Sequence, residues 1–265
     1  MCVVVTCVQI NQMLRTMGRS AMQSSLGKRS LAEREFIEAH YLRGTGRGSR
    51  SRDASSASSS RPTHFLALPV NDFKPLKPFV SKVHSQIVKH APGLKEALVE
   101  PESAHITLGV LTLKDENEFQ RLSTTLKQWF NEREGEETEG PLEIELKNVK
   151  QFKSGVLYIE AHSANNRLCQ FHEALASFLK TEGFLDKVDK SFNPHVTLAK
   201  FSKMKRRNKN GKQNGVKTPK MFPAKSYEED IRTKVGTCEV RTLQVCCMVG
   251  RVKGEYYKVA KSFQL

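Results

Sequence analysis

The feature that most constrains this chain is a five-residue stretch that occurs twice, ninety positions apart. The first copy is Ala104-His-Ile-Thr-Leu108 and the second is Pro194-His-Val-Thr-Leu198. Polar and aliphatic residues alternate in both copies, and a period of two predicts a half-buried strand. Residues i and i+2 of a strand share a face and lie about 6.6 Å apart. Each copy therefore presents an imidazole beside a hydroxyl, with its aliphatic residues facing the core.

Repetition is what gives this pattern weight. A single histidine on a strand is most often structural, but the chance that one is followed by an aliphatic-Thr-aliphatic triplet is on the order of one in a hundred. Two copies among eight histidines are hard to explain as coincidence. If the two strands are adjacent, one imidazole can accept a proton, the other can donate one, and the hydroxyls can hold phosphate oxygens. The candidate catalytic residues are His105, Thr107, His195 and Thr197.

The order of the remaining patterns predicts an α+β fold. It runs strand, helix, His strand, helix, strand hairpin, helix, His strand, basic loop, and two closing strands over 239–249 and 255–261. Strands and helices do not alternate one by one, so a doubly wound parallel sheet fits badly. We expect two antiparallel or mixed sheets that flank a central cleft, with helices on their outer faces.

Composition separates the 265 residues into two parts. Residues 1–61 are basic and rich in Ser and Arg, which predicts a disordered tail. Residues 62–265 then form the folded domain, with an exposed basic loop over 202–225. The net charge of +15 indicates an anionic partner. Much of that charge lies in the tail and the loop, so it says little about the core.

Cysteine and histidine spacing argues against disulfides and metals. The six cysteines contain no CxxC pair and no disulfide framework, so a reducing compartment is the simpler assumption. Clustered metal-ligand spacing is absent, so we expect no metal and no cofactor. No apolar run approaches the length of a transmembrane helix. We expect a monomer in the cytoplasm, the nucleus or both.

At these residues the sequence resembles the 2H phosphoesterase superfamily, which is named for two H-x-[ST] motifs. Phe65-Leu-Ala-Leu-Pro69, the flanks of the second motif from Lys190 to Lys203, and Gly254-Glu-Tyr-Tyr257 are similar to the nucleotide-binding domain of A-kinase anchoring proteins of the gamma/delta type. The resemblance covers about residues 62–258. It implies a bilobal 2H phosphoesterase fold, metal-independent cleavage of 2′,5′-linked oligoadenylates, and adenosine monophosphate (AMP) as a ligand.

One partner of that family is not expected here. The family's helix that docks on the regulatory subunit of protein kinase A lies beyond the phosphoesterase domain, and this sequence stops at Leu265 before any such helix. We therefore do not expect this chain to anchor the kinase.

Contacts to the nucleotide are less constrained than the two motifs. Phe65, Phe152 and Tyr257 are candidates to stack on adenine, and Lys203 is a candidate to meet phosphate. Each also fits a plain structural or solvated role. Which histidine is the base stays open. Three other functions also stay open: a non-catalytic nucleotide-binding scaffold, a phosphodiesterase for cyclic phosphates or RNA ends, and a general RNA-binding protein.

Overall fold

The two His strands are neighbours at the centre of an eight-stranded sheet in which every ladder is antiparallel. The structure, a computed structural model, describes residues 61–133, 140–185, 192–204 and 221–265. The tail predicted for residues 1–61 lies outside the described residues except for Arg61. Most of the basic loop predicted for 202–225 also lies outside them.

The strands occur in the spatial order β6-β3-β4-β5-β2-β1-β7-β8. Their bounds are β1 His64–Pro69, β2 His105–Leu111, β3 Leu142–Phe152, β4 Val156–His162, β5 His195–Lys200, β6 Lys234–Val240, β7 Thr242–Cys247 and β8 Val259–Gln264. The order falls into two four-stranded halves that meet where β2 joins β5. That junction contains a single registered residue pair. The predicted α+β class is confirmed, and the two predicted sheets are the halves of one sheet.

The sheet must curl strongly, because its strand order conflicts with the chain path. Strand β6 is one edge and β7 is next to the other edge, so in a flat sheet about 29 Å would separate them. Only Arg241 connects the two strands, and one residue spans roughly 7 Å. The continuous segment from β6 to β7 therefore ties the two halves together a second time. Such a curl is what gives the sheet a concave side.

Three α-helices in the described residues cover the core: α1 Leu76–His90, α2 Glu116–Glu132 and α3 Arg167–Thr181. Each buries an apolar stripe at helical spacing. Helix α2 is capped at its start by Asp115, whose carboxylate accepts a hydrogen bond from the Glu118 amide at 3.0 Å. Helix α3 is followed by Gly183, which terminates it by adopting a φ of +75°. None of the described helices is long and apolar enough to cross a membrane.

The C-terminal third differs from the prediction. Two closing strands were expected, but three are present, and the segment predicted as one strand over 239–249 is divided at Arg241 between the two halves. The last strand begins at Val259 rather than near 255. The predicted exposed loop also ends early. Phe222 is buried and stacks on the Phe201 ring with centroids 4.4 Å apart.

Candidate functional site

The histidine and threonine side chains of both motifs share one face of the sheet. The ladder between β2 and β5 pairs Ile106 with Val196, and both are fully buried. Residues that flank such a pair in antiparallel strands lie opposite each other on the other face. The four side chains thus form a quadrilateral with the imidazoles at opposite corners, about 8 Å apart at Cβ. The opposed pairs are His105 with Thr197 and His195 with Thr107.

Both imidazoles are held in the same tautomer. The Nδ1 atom of His105 lies 2.7 Å from the Ser103 carbonyl oxygen, and Nδ1 of His195 lies 2.7 Å from the Asn193 carbonyl oxygen. A carbonyl oxygen can only accept, so Nδ1 donates in each ring. The Nε2 atom of each ring is therefore the atom that gains and loses a proton. In both motifs, the hydrogen bond to the carbonyl two residues upstream fixes the orientation of the imidazole ring.

The two imidazoles differ in basicity. Burial lowers the pKa of His105 to about 4, and the positive charges of Lys200 and Arg251 act in the same direction. Burial also lowers the pKa of His195 below its usual value. The backbone hydrogen bonds oppose this lowering in both rings but do not outweigh it. His105 is thus kept neutral at physiological pH.

Aromatic rings pack around His105. The Phe65 and Tyr257 ring centroids lie 4.9 and 5.3 Å from that of His105. Phe65 is only 4% exposed, and Tyr257 contacts it edge to face. A ring so buried offers little surface to a base, so the structure favours a packing role for Phe65 rather than the predicted adenine stacking. Tyr257 is partly exposed at the site.

A second aromatic pair packs around His195. Phe152 and Tyr158 stack with ring centroids 4.1 Å apart, and both contact the His195 ring edge-on at 5.1 and 5.2 Å. Tyr158 lies next to Thr197 in the β4–β5 ladder, and Glu160 lies next to His195. Phe152 is a predicted contact, whereas Tyr158 was missed because its strand was interpreted only as part of a hairpin.

A cavity of about 640 Å³ opens beside His195. It is large enough for a nucleoside. Its described lining is mostly apolar and aromatic, with the hydroxyl of Thr107 and the imidazole of His195 at one side. The lining residues are Thr107, Leu108, Gly109, Val110, Phe152, His172, Ala176, Leu185, Phe192, Asn193 and His195.

A β-bulge follows each motif and changes which residues face the site. In β5 the register skips one residue after Thr197, so Leu198 and Ala199 both face the core, and Lys200 turns to the site face opposite Val156. A strict alternation would point Lys200 into the core. The bulge therefore explains why this lysine was missed by sequence reasoning. The equivalent skip in β2 turns Val110 to the site face.

Lys203 lies at the His105 end of the cleft, where its Nζ donates to the Leu98 carbonyl. Arg251 is close by and pairs with Glu100 at 2.6 Å. Arg251 was not predicted, because it lies in a loop with no motif. Within the described ranges, no group of three or more His, Cys, Asp or Glu side chains is placed to hold a metal ion.

An antiparallel α+β fold with two adjacent His-x-Thr strands defines a phosphoesterase-type protein of the 2H superfamily. The family model described as the AKAP7 2′5′ RNA ligase-like domain matches residues 62–265, and the chain belongs to this family.

A curated relative and several solved structures are similar. Human (Homo sapiens) A-kinase anchor protein 7 isoform gamma is 24% identical over 203 residues, which cover 74% of this chain and 55% of the relative. The chain thus spans about half the length of that relative.

Among solved structures, TT0787 of Thermus thermophilus is 18% identical with a TM-score of 0.49, over 77% of this chain and 97% of that one. E. coli LigT complexed with 3′-AMP is 16% identical with a TM-score of 0.46, over 77% and 98%. At these sequence identities and TM-scores, no residue role in this chain is inferred from the two structures.

Proposed function

We propose that this chain is a metal-independent phosphodiesterase that cleaves 2′,5′-linked oligoadenylates or related RNA phosphodiesters by acid-base catalysis between two histidines. The observation that carries the proposal is the diagonal arrangement of His105 and His195, each with Nδ1 fixed to a backbone carbonyl. This arrangement supports one proton acceptor and one proton donor on opposite sides of a phosphate.

The difference in basicity supports a division of roles. His105, with a pKa near 4, is neutral and acts as the base. Its Nε2 takes the proton of the ribose 3′-hydroxyl, whose oxygen attacks the adjacent phosphorus. His195 in its protonated form gives the Nε2 proton to the departing 5′-oxygen as the phosphorus-oxygen bond breaks. The products are a 2′,3′-cyclic phosphate and a free 5′-hydroxyl.

The threonines support charge on the phosphate. Neither the Thr107 nor the Thr197 hydroxyl has a hydrogen-bond partner among the described residues, so both can donate to the non-bridging oxygens. Donors placed before the reaction stabilise the charge that develops in the transition state. Each hydroxyl lies opposite the histidine of the other strand, so the phosphate is held from two sides.

The cavity beside His195 supports recognition of a nucleoside, and AMP is a suitable ligand. Phe152 lines this cavity and is partly exposed. Its ring can contact a base, and such contacts contribute roughly 1–3 kcal/mol. The leaving nucleoside of the proposed reaction lies on this side, next to the acid His195.

Linkage-specific cleavage tests the proposal. The chain is incubated with a 2′,5′-linked adenylate trimer, a 3′,5′-linked trimer and a 2′,3′-cyclic nucleotide, each with and without a chelator. We expect cleavage of the 2′,5′ trimer that a chelator leaves intact. Cleavage of the cyclic nucleotide alone would instead support the RNA-end alternative, and a strict requirement for a divalent ion would contradict the two-histidine mechanism.

A scaffold that binds a nucleotide without turnover is the second candidate. It is favoured by the similarity to an A-kinase anchor protein. The two candidates separate in one experiment, because a scaffold binds AMP but leaves every trimer uncut at high protein concentration.

A further inference from the structure

Three cations gather at the end of the cleft beyond His105. The bulge in β5 turns Lys200 onto the site face. Because β2 and β5 are antiparallel, the direction from Thr197 to Lys200 runs past His105 and away from His195. The charges of Lys200 and Arg251 both act on His105. Burial lowers the pKa of Lys203, and the positive charges of Arg251, Lys200 and Lys253 act in the same direction.

This cluster is not balanced by the chain. Among the described residues, Glu100 pairs with Arg251. Glu102 also lies within the electrostatic reach of Arg251 but is paired with Lys77. The Lys200 ammonium group has no ion pair or hydrogen bond to any residue that the structure describes. Burial, together with the charge of Arg251, lowers the pKa of Lys200 below its usual value. A solvated surface lysine would show neither effect, so this cation is held partly desolvated without a counter-ion.

Arg251 is fixed in place before any ligand binds. Its guanidinium lies 2.6 Å from a Glu100 carboxylate oxygen and 5.4 Å from the centroid of the Tyr257 ring. Lys203 is tied to the Leu98 carbonyl. Fixed donors lose little freedom on binding, so this arrangement suits an anion that enters between them.

The opposite end of the cleft has the opposite character. The bulge in β2 places Val110, not a lysine, at the position equivalent to Lys200, and Val110 lines the cavity beside His195. The cleft thus runs from an apolar cavity, past His195 and His105, to the cations. A bound chain of nucleotides would have a base in the cavity and a phosphate at the far end.

We propose that Lys200, Lys203 and Arg251 bind the 5′-phosphate of the nucleotide that supplies the attacking 3′-hydroxyl. This inference rests on the proposed function, in which His105 activates that hydroxyl. The attacking nucleotide is then on the His105 side, and its own 5′-phosphate points away from the scissile bond toward the cations. The preferred substrates are 2′,5′-linked oligonucleotides with a phosphate at this position, either terminal or within the chain.

The test compares two 2′,5′-linked adenylate dimers that differ only in a 5′-phosphate or a 5′-hydroxyl. We expect the wild type to cleave the phosphorylated dimer with a 10- to 100-fold higher kcat/KM, the range of one to two charge-assisted hydrogen bonds. In Lys200→Gln, the ratio of kcat/KM for the phosphorylated dimer to kcat/KM for the hydroxyl dimer should fall to about three or less. Most of this change should come from a higher KM for the phosphorylated dimer. Lys200→Arg should keep most of the preference for the phosphorylated dimer. The exposed Lys89→Gln on α1 is the matched control and should keep the wild-type ratio.

Binding separates this inference from the proposed function. Dimers that lack the attacking 3′-hydroxyl cannot cyclise, and their affinities should show the same preference for the 5′-phosphate. Cleavage of both dimers without preference would overturn the subsite and leave the phosphodiesterase standing. A 5′-phosphate preference in binding without any cleavage would support the subsite and overturn the proposed phosphodiesterase activity. A wild-type ratio retained by Lys200→Gln would also overturn the assignment.

Discussion

The two halves of the cleft share a backbone plan but differ in their side chains. Each half contributes a His-x-Thr strand, a hydrogen bond from Nδ1 to the carbonyl two residues upstream, and a bulge after the threonine. Around His105 the rings are Phe65 and Tyr257 and the nearby charges are positive. Around His195 the rings are Phe152 and Tyr158.

The difference shows how two equivalent histidines acquire different roles. The fold gives both imidazoles the same tautomer and orientation, so these features do not decide which ring is the acid and which is the base. Their surroundings decide this, first through burial and then through nearby charges. Burial favours the neutral form of both imidazoles, and the charges of Lys200 and Arg251 add to this effect at His105, whose pKa is lowered to about 4. Two groups whose surroundings push their pKa values apart are suited to acid and base roles.

The largest effect is expected from removing either histidine. His105→Ala and His195→Ala should each lower kcat on the 2′,5′ trimer by about 10³-fold or more. His90→Ala on α1, which is exposed and bonds within its own helix, is the matched control. The acid and base roles can be distinguished with the substrate adenosine 2′-(4-nitrophenyl phosphate), because its nitrophenolate leaving group departs without being protonated. This substrate should rescue His195→Ala and not His105→Ala, and the reverse pattern would exchange the two roles.

The threonines should matter less and equally. Thr107→Ala and Thr197→Ala each remove one donor to the phosphate, and kcat should fall by about 10²-fold in both. The serine variants keep the hydroxyl and should retain most of the activity. Measured kcat values that differ strongly between Thr107→Ala and Thr197→Ala would show that the halves are not equivalent at the phosphate.

The next effect concerns how the His195 half is built. Gly155, in the turn between β3 and β4, has a φ of +78°, and an added Cβ would collide with the Phe201 ring. Gly155→Ala should lower the free energy of unfolding by about 2 kcal/mol more than Gly183→Ala. Gly183 has a φ of +75° and no atom within 4 Å of an added Cβ, so it reports the backbone cost alone. Equal melting curves for the two variants would contradict the collision.

The smallest effect is the pH dependence. The base must be neutral and the acid protonated, so kcat/KM should fall below the pKa of His105, about 4, and above that of His195, which lies below 6.5. The maximum of kcat/KM therefore lies at acidic pH, and kcat/KM should fall tenfold per pH unit above the pKa of His195. A maximum above pH 7 would contradict the lowered pKa values.

Local sequence patterns predicted the two His strands but not the residues that surround them. The His-x-Thr repeat predicted both central strands and the four side chains on one face, because strand alternation is local. It missed Lys200, because the bulge after Thr197 reverses that alternation. It also misassigned 239–249 as one strand, since nothing local marks Arg241 as the place where the chain crosses between halves.

The sequence by itself determined the chemistry available here: two imidazole-hydroxyl couples, an α+β order of elements, and no spacing suited to a metal. Those conclusions depend only on residue type and on periods of a few residues. The tertiary structure decided that the two couples are arranged diagonally and that the pKa of His105 is lowered to about 4. It also decided that Lys200 lies at the His105 end of the cleft. Each of these depends on which side chains from distant segments are neighbours and how far they are removed from water, and local sequence patterns contain neither quantity.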